Sequence, residues 1–220
     1  MSPSTPPRTR RPRGSLTSEA ILDAAEAVAV DGFEALTMRE VAARLGAAPM
    51  SLYRYYATKD ELVDALLDRV LGRLDVPPPT KDWVDDVRAY VLAHRRLLEE
   101  HPWAVSVLFT HPTPGPNSVA IGEELLARLD RGGVTGEPAV VAFSALLALN
   151  YGWSAFTTGR DSGAPDAADL AERLRSLPVA VFPLTVAVAE PMSRYGSDEH
   201  YEQALGLLLQ GLSPAPRRRR

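Results

Sequence analysis

Residues 37–62, TMREVAARLGAAPMSLYRYYATKDEL, contain the signals for two short helices, a tight turn between them and the start of a third helix. Apolar residues one helical turn apart predict the first helix over Met38–Leu45. Thr37 precedes it as an N-cap, and Glu40 follows three residues later, which is the pattern of a capping box. Gly46 comes after the last apolar residue, where a left-handed conformation ends a helix.

A second helix is predicted to begin near Pro49, a residue favoured in a first helical turn, and to carry residues 50–56. A helix, a turn containing glycine and a second helix with small and aromatic polar side chains are typical of a helix-turn-helix. The second helix of that motif enters the DNA major groove. Such units also occur as plain packing elements, so the alternative is a helical interaction protein in which the helix-turn-helix only packs.

The flanking sequence narrows the choice between these two interpretations. An apolar stripe predicts a helix over Ser18–Val30, which Asp31-Gly32-Phe33 ends, and Thr58 with Glu61 caps another helix. Over about residues 16–70 the chain closely resembles the TetR family of one-component bacterial repressors. The matching residues are Ile21, Ala24, Ala25, Gly32, Phe33, Leu36, Thr37, Arg39, Val41, Ala42, Leu45, Gly46, Leu52, Tyr53, Tyr55, Tyr56, Lys59, Leu62 and Leu66.

The second helix is expected to read bases with its exposed positions, while Met50 or Leu52 turns inward. These positions are Ala48, Pro49, Ser51, Tyr53 and Arg54, and the resemblance places Pro49, Ser51 and Tyr53 in the groove. Thr37 and Arg39, at a helix N-terminus, and Tyr56 and Lys59, on the opposite bank, are expected to contact phosphates of a double-stranded DNA operator.

Charge is distributed unevenly along the 220 residues, whose 24 Lys and Arg and 28 Asp and Glu residues give a net charge of −4. Arg8, Arg10, Arg11 and Arg13 precede the first acidic residue, Glu19. The expected organisation is a disordered basic arm over 1–14, a DNA-binding domain over 15–60, an effector-binding and dimerisation domain over 61–213 and a basic tail over 214–220. The arm has two interpretations that stay open: a DNA contact or a solvated tail.

The remainder of the chain consists of apolar helical patterns separated by Pro and Gly, so we predict an all-α protein. The helix after Thr58 is expected to end at Val76–Pro79, Pro102–Phe109 is a short apolar segment, His111–Gly115 a loop, and Val179–Pro191 is ambiguous between helix and extended chain. The other predicted helices are Asp82–Glu100, Asn117–Asp130, Glu137–Thr158, Asp166–Ser176 and Ser197–Leu212.

The helix over Glu137–Thr158 is apolar nearly all round and must therefore be covered on several faces. Small residues along it would allow a second helix to approach closely. In TetR-like proteins the eighth and last helices form a four-helix dimer interface, and the positions of Glu137–Thr158 and Ser197–Leu212 match them. The resemblance thus implies a homodimer on a pseudo-palindromic operator, which doubles the base contacts of one short helix.

Aromatic residues and a few polar groups in the same part of the chain indicate a pocket for a small-molecule effector, although core packing is the ordinary role of each aromatic. The expected ligand-binding residues are Tyr90, His94, Trp103, Phe109, Asn150 and Trp153. The function expected from the whole sequence is a repressor that releases DNA when this effector binds.

Several other classes of protein lack support in the sequence. No phosphate loop, nucleophile elbow or paired catalytic carboxylates point to an enzyme, and no cofactor is expected. The four histidines lack the spacing of metal ligands, and the absence of cysteine excludes thiolate sites. A signal-peptide core is missing, and the longest apolar runs, Ala139–Leu149 and Val179–Ala189, fall short of the roughly 20 residues that span a bilayer. We therefore expect a cytoplasmic protein without a membrane partner.

Overall fold

The computed structural model describes residues 16–110, 115–158 and 166–212, and its regular structure in these ranges is helical, which confirms the all-α prediction. The α-helices are α1 (Ser18–Asp31), α2 (Met38–Leu45), α3 (Pro49–Leu52), α4 (Lys59–Leu71), α5 (Trp83–Glu100), α6 (Pro102–Thr110), α7 (Pro116–Arg131), α8 (Glu137–Thr158), α9 (Ala167–Arg175), α10 (Pro183–Ala187), α11 (Ala189–Ser193) and α12 (Asp198–Gln210). The expected arm over 1–14, the basic tail over 214–220 and most of the His111–Gly115 loop lie outside the described residues.

The chain divides into two compact units. The first contains residues 1–73 and 106–119, and the second contains residues 74–105 and 120–220. Helices α6 and α7 each pass from one unit to the other along their own length, α6 after Val105 and α7 after Val119.

Three helices of the first unit start in the same way, with a threonine as the N-cap. The Oγ1 atoms of Thr17, Thr37 and Thr58 accept the backbone N–H three residues ahead, each at 3.1 Å, and so cap α1, α2 and α4. An N-cap of this kind stabilises a helix by about 1 kcal/mol. Glu61 completes the start of α4, because its carboxylate accepts the N–H of Ala57 at 2.7 Å.

Helix α1 packs against α2 and α4, and α2 packs against α3. The buried side chains that hold these helices together are Ile21, Ala25, Val28, Leu36, Val41, Leu52, Leu62, Val63 and Leu66. Gly46 ends α2 at φ +64°, the left-handed conformation that its position predicted.

Some helix boundaries differ from those that the sequence predicted. Helix α4 ends at Leu71 and not at residues 76–79, because Gly72 caps it there. Residues 102–110 form the helix α6. In the ambiguous stretch 179–191, prolines start helices: Pro183 is the first residue of α10 and Pro191 the third of α11, where a missing N–H costs no intrahelical bond.

The core of the second unit lies between α5, α7, α8 and α12 and is closed by large aliphatic and aromatic residues. Its buried members include Val87, Tyr90, Val91, Leu125, Leu129, Leu146, Tyr201, Leu205 and Leu209. Helices α5, α8 and α12 contact one another in this unit, and α9 packs against α10 and α11.

Helix α8 contradicts the expectation that no apolar segment is long enough to span a bilayer. Residues 137–157 are long and apolar enough, by length and composition alone, to cross a bilayer. The expectation counted uninterrupted apolar runs, whereas the average hydropathy of the helix tolerates polar residues such as Asn150. In the single chain only 28% of the apolar window is buried, so most of it is available to be covered by something else.

Candidate nucleic-acid interface and buried polar cluster

Helix α3 is buried on one side and exposed to solvent on the other. Leu52 is fully buried and anchors the helix, while Met50 is 74% exposed. Of the two residues expected to turn inward, Leu52 therefore does so. Ala48 and Pro49 are exposed and Ser51 is half-buried, so the predicted reading positions lie on the open side of the helix.

The second helix of the motif is shorter than the sequence predicted, because the chain tightens directly after Leu52. The N–H groups of Tyr55 and Tyr56 both donate to the Leu52 carbonyl, at 2.8 and 3.0 Å, and the three-residue spacing of the first bond forms a turn. Tyr53 and Arg54 are exposed on this turn and not on a helix. We call residues 48–54 the recognition segment.

The residues expected to contact phosphates differ in their availability. Arg39 is exposed in the first turn of α2, next to the capping residue Thr37. Lys59 is exposed in the first turn of α4, with its ammonium 5.6 Å from the centre of the Phe33 ring. Tyr56, in contrast, is only 8% exposed.

Two tyrosine hydroxyls bind the start of the described chain. The Tyr56 hydroxyl and Ser18 Oγ are 2.5 Å apart, and the Tyr55 hydroxyl donates to the Leu16 carbonyl at 2.5 Å. Tyr56 can therefore reach a phosphate only by sharing or exchanging its bond to Ser18. The sequence did not reveal these bonds, because the partners lie 38 and 39 positions apart.

An ion cluster joins α4 to α1. Arg69 Nη1 contacts Asp23 at 2.7 Å and its other terminal nitrogen contacts Glu26, while Arg73 Nη2 donates to Glu26 at 2.7 Å. The hydrogen bond from Arg73 holds the pKa of Glu26 below its usual value, and the same contact raises the pKa of Arg73. This cluster ties α4, the helix after the recognition segment, to α1.

On its other side α4 holds the beginning of α7. Asp68 accepts the backbone N–H of Ser118 at 2.9 Å and the side-chain amide of Asn117 at 3.0 Å, so a residue of α4 caps α7. Gly115 permits this approach, because a Cβ there would lie 2.2 Å from the Asp68 carboxylate.

A buried polar cluster in the second unit contains three of the expected ligand-binding residues and is centred on Asn150. The Asn150 amide nitrogen donates to the Val91 carbonyl at 2.9 Å and lies 3.1 Å from His94 Nδ1, and its oxygen accepts the Tyr201 hydroxyl at 2.5 Å. Both hydrogens of the amide nitrogen and one lone pair of the amide oxygen are thereby engaged. Tyr201 lies within the last predicted helix, and the sequence gave no signal that its hydroxyl would reach α8.

His94 is neutral in this environment. Burial lowers its pKa to about 4, and because Nδ1 faces the Asn150 amide nitrogen, the proton of the neutral ring belongs on Nε2. The ring stacks on Tyr90 at 6.3 Å and meets Tyr151 edge-on at 5.6 Å. Burial also raises the pKa of Tyr151 to about 12, so the aromatic neighbours of His94 are neutral as well.

The other expected ligand-binding residues lie in different surroundings. Trp153 packs edge-on against Tyr201 and donates its indole N–H to the Gly196 carbonyl at 3.2 Å. Trp103, on α6, is 7% exposed, and its ring lies edge-on to that of His101, which precedes the helix. Phe109 is 62% exposed and belongs to the part of α6 in the first unit. In the described ranges, no group of three or more His, Asp or Glu side chains is arranged to hold a metal ion.

One face of α8 and α12 is apolar and open in the single chain. Val140 and Val141 on α8 are 59% and 63% exposed, and Leu207 on α12 is 70% exposed. A groove of about 570 Å³ runs between these helices, and its lining is mostly apolar. The lining residues are Val134, Glu137, Pro138, Val141, Ala142, Ala145, Leu207, Leu208, Gly211 and Leu212.

Comparison with known families agrees with this architecture. The family model of bacterial regulatory proteins of the tetR family matches residues 21–66, and that of the tetracyclin repressor-like C-terminal domain matches residues 76–215. The first model covers the helix-turn-helix, and the second covers the helical body. The chain belongs to the TetR family of helix-turn-helix transcriptional regulators.

Its relatives include two bacterial HTH-type transcriptional regulators. The chain is 38% identical to an HTH-type transcriptional regulator of Saccharopolyspora erythraea over 148 residues, which are 66% of this chain and 62% of that protein. It is 36% identical to the HTH-type transcriptional repressor DrrR1 of Streptomyces coeruleorubidus over 137 residues, 61% of this chain and 50% of that protein. The matches therefore leave a substantial part of each relative unaligned.

A solved structure covers more of the chain. ActR, a TetR family protein of Streptomyces coelicolor, superposes with a TM-score of 0.82 at 29% identity and covers 90% of this chain and 96% of its own. That structure contains (S)-DNPA, and ActR has also been solved in complex with actinorhodin.

Proposed function

We propose that this protein is a homodimeric repressor that binds a pseudo-palindromic operator in double-stranded DNA and releases it when a small molecule binds the helical body. The observation that carries the proposal is the recognition segment, in which Leu52 is fully buried while Met50 and Tyr53 stay exposed. A helix-turn-helix that served only to pack would cover this face.

Base reading is assigned to Pro49, Ser51 and Tyr53, and phosphate contact to Arg39 and Lys59. Small residues at 47 and 48 let the backbone approach the groove, and the apolar atoms of Pro49 fit a thymine methyl. Because phosphate contacts position a protein without specifying sequence, the two groups of residues should fail in different ways when they are mutated.

The second subunit is assigned to the open apolar face of α8 and α12. A dimer would cover Val140, Val141 and Leu207, and it would explain why so little of the apolar window of α8 is buried within one chain. Twofold pairing also sets two recognition segments about 34–36 Å apart on successive turns of DNA.

The effector is assigned to the aromatic surroundings of His94. The polar groups of Asn150 and Tyr90 are already bonded within the protein, Tyr90 to the Ile121 carbonyl at 2.9 Å. The neutral His94 ring carries a donor on Nε2, so we assign to this site a mainly apolar ligand with a hydrogen-bond acceptor. ActR has been solved with the small molecules (S)-DNPA and actinorhodin, which supports a small-molecule effector for the present protein as well.

Helix α7 supplies a route from this region to the DNA-binding helices. Tyr90, which stacks on His94, donates to the Ile121 carbonyl of α7, and the first turn of the same helix is capped by Asp68 of α4. A ligand that displaces Tyr90 would therefore move a helix that is bonded to α4. Coupling of about 1–3 kcal/mol would weaken operator binding several-fold to a hundredfold. Cytoplasmic location follows from this function.

The test of the DNA-binding assignment uses a duplex enriched by the full-length protein from a random-sequence pool. Tyr53→Ala should weaken binding to this duplex by roughly 1–3 kcal/mol and leave binding to an unrelated duplex nearly unchanged. Val30→Ala, which removes an exposed side chain of α1, is the control and should bind like the wild type. Equal affinity of the Tyr53 variant and the wild type for the selected duplex would disprove the assignment.

The ligand assignment is tested in the same assay with compounds that displace the duplex. Trp153→Ala should keep DNA binding and lose the response to the compound, and the fluorescence of Trp103 and Trp153 should change on its addition. If Trp153→Ala releases DNA at the same compound concentration as the wild type, the pocket lies elsewhere and only the DNA-binding assignment stands.

A further inference from the structure

The chain between α4 and α5 is not helical and contains three successive prolines. We call residues 74–82 the connecting segment, all of which belongs to the second unit. Pro77, Pro78 and Pro79 have no backbone N–H, so this part of the segment cannot form the hydrogen-bond ladder of a helix or a strand. Its position therefore depends on bonds from the side chains of neighbouring helices.

Two arginines near the end of α7 hold the connecting segment by its backbone. Arg128 Nη2 donates to the Pro77 carbonyl at 3.1 Å. Arg131 Nη2 donates to the Thr80 carbonyl. Asp86 of α5 accepts the Thr80 N–H at 2.7 Å and pairs with Arg131 Nη1 at 2.5 Å. Thr80 is therefore bonded through both its N–H and its carbonyl. We call Asp86, Arg128 and Arg131 the clamp.

The clamp is largely buried although it is charged. Asp86 is 2% exposed and Arg128 is 3% exposed, and side chains of these types are almost never buried to this extent unless they are paired. Replacement of a buried ion pair by apolar residues of similar volume often leaves a protein equally stable or more stable. Stability alone therefore gives little reason for charges at this place. A guanidinium group, however, can bond a backbone carbonyl, which an apolar side chain cannot do.

The clamp also shortens the free chain that follows α4. Arg73, the second residue after α4, donates to Glu26 of α1 at 2.7 Å, and Pro77 is the first residue that the clamp holds. Four residues of extended chain reach at most about 14 Å. Without the clamp the next fixed residue is Asp82, the N-cap of α5, and nine residues reach about 32 Å. Loss of the clamp would therefore more than double the reach of this tether.

We propose that Asp86, Arg128 and Arg131 are positioning residues for DNA recognition, and that they make the protein selective for the spacing between the two half-sites of its operator. A short tether limits how far a recognition segment can move to meet a displaced half-site, whereas a long tether does not. The inference rests on the proposed function as a DNA-binding homodimer. The clamp needs no contact with DNA to act in this way.

Three duplexes measure this selectivity. One is the duplex enriched from the random pool, and the other two have one base pair added or removed between the half-sites. One base pair moves a half-site by about 3.4 Å along the axis and rotates it by about a tenth of a turn. Selectivity is the affinity for the enriched duplex divided by the affinity for an altered duplex. A wild-type protein that binds all three duplexes equally would overturn the inference at once.

Arg131→Met removes the bonds to Thr80 and Asp86 and keeps the length of the side chain. To reach a displaced half-site, the wild type must strain or break these bonds, and the variant need not. The selectivity of the variant should therefore be about 2- to 10-fold lower, which is the contribution of one hydrogen bond. Arg175→Met is the matched control, because it removes an exposed arginine of α9 that also pairs with two carboxylates. It should keep the wild-type selectivity.

Two comparisons separate positioning from other effects of the substitution. A variant that is merely less folded would bind all three duplexes more weakly by the same factor and would keep the wild-type selectivity. A variant that had lost a phosphate contact would have a lower salt slope, the slope of log affinity against log salt, by about 0.9 per subunit. Arg131→Met should keep the wild-type salt slope. Either of the other two results in place of reduced selectivity would overturn the inference.

Asp86→Asn tests the clamp from the side of α5. The amide can still accept the Thr80 N–H, but it loses the ion pair with Arg131. Selectivity should fall as it does in Arg131→Met, and the double variant should be no less selective than Arg131→Met alone, because both changes remove the same ion pair. Losses that add in the double variant would mean that the two residues act separately, and the clamp would be wrong.

Hydrogen exchange in the free protein measures the clamp without DNA. The Thr80 N–H should exchange about 2- to 10-fold faster in Arg131→Met than in the wild type, because the acceptor Asp86 is held less firmly. Arg175→Met should exchange at this position like the wild type. An unchanged rate in Arg131→Met would show that the connecting segment is held without this arginine, and the inference would fail.

The outcomes also distinguish this inference from the proposed function. If the protein enriches a duplex and Arg131→Met has the selectivity of the wild type, the positioning role is wrong and sequence-specific binding stands. If the full-length protein enriches no sequence from the random pool, the proposed function itself fails and the inference falls with it.

Discussion

The stability of the second unit should fall in mild acid because of His94. The ring is buried beside Asn150, and burial lowers its pKa to about 4 from a value of 6.5 in the unfolded chain. The folded pKa is the lower one, so between pH 6.5 and pH 4 the unfolded chain binds a proton that the folded chain does not. Stability is therefore fully present above pH 6.5 and is lost as the pH falls through this window.

The size of the effect follows from the two pKa values. One pKa unit corresponds to about 1.4 kcal/mol, and protonation of the unfolded state alone between pH 7 and pH 5 costs about 2 kcal/mol of unfolding free energy. Replacement of His94 by Asn removes the titrating group and keeps a polar side chain next to Asn150. The variant should thus lose about 2 kcal/mol less than the wild type when the pH changes from 7 to 5.

Urea unfolding, followed by circular dichroism at pH 7 and pH 5, measures this difference. Carboxylates titrate in both proteins alike, so their contribution cancels when the pH-dependent losses of wild type and variant are subtracted. A lower stability of the variant at both pH values does not affect the test, because the test compares the loss of unfolding free energy between pH 7 and pH 5 in the two proteins. The same pH-dependent loss in both proteins would show that His94 is not kept neutral by burial, and the reasoning would be refuted.

Three further outcomes are expected from single substitutions. Lys59→Ala should weaken binding to all duplexes about equally and lower the salt slope by about 0.9 per subunit, whereas Lys81→Ala, which changes an exposed lysine of the second unit, should not. Asn150→Leu leaves three buried partners without their hydrogen bonds and should cost at least about 3 kcal/mol in urea unfolding; an unchanged midpoint would contradict the role of the amide. Leu207→Glu should give monomers in sedimentation at micromolar concentration, while Leu184→Glu, at an even more exposed position on α10, should leave the dimer intact.

The starts and ends of several helices could be predicted from the sequence because their causes are local. A threonine cap bonds a backbone N–H three residues away, and Gly46 needs only its own φ of +64°, so Thr37, Gly46 and Thr58 marked the ends of α2 and the start of α4 correctly. The same local rules misjudged the second helix, because the apolar and aromatic pattern after Leu52 did not reveal that the chain tightens into a turn.

The predicted ligand-binding residues show where local reasoning ends. Tyr90, His94 and Asn150 do meet around one buried cluster, yet the sequence did not indicate that their polar groups would be engaged with Val91, Ile121 and Tyr201. Phe109 was grouped with them by composition alone, and it belongs to the part of α6 in the other unit.

By itself, the sequence determined the all-α class, the helix-turn-helix and the exposed side of its second helix, since each depends on contacts between residues within about four positions. Tertiary structure alone decided which distant groups meet: Tyr55 with Leu16, 39 positions away, Asp68 with Ser118, 50 away, and Tyr201 with Asn150, 51 away. A hydroxyl or carboxylate carries no mark of its partner in the sequence, because the partner is chosen by the packing of helices and by the cost of leaving a buried polar group unbonded.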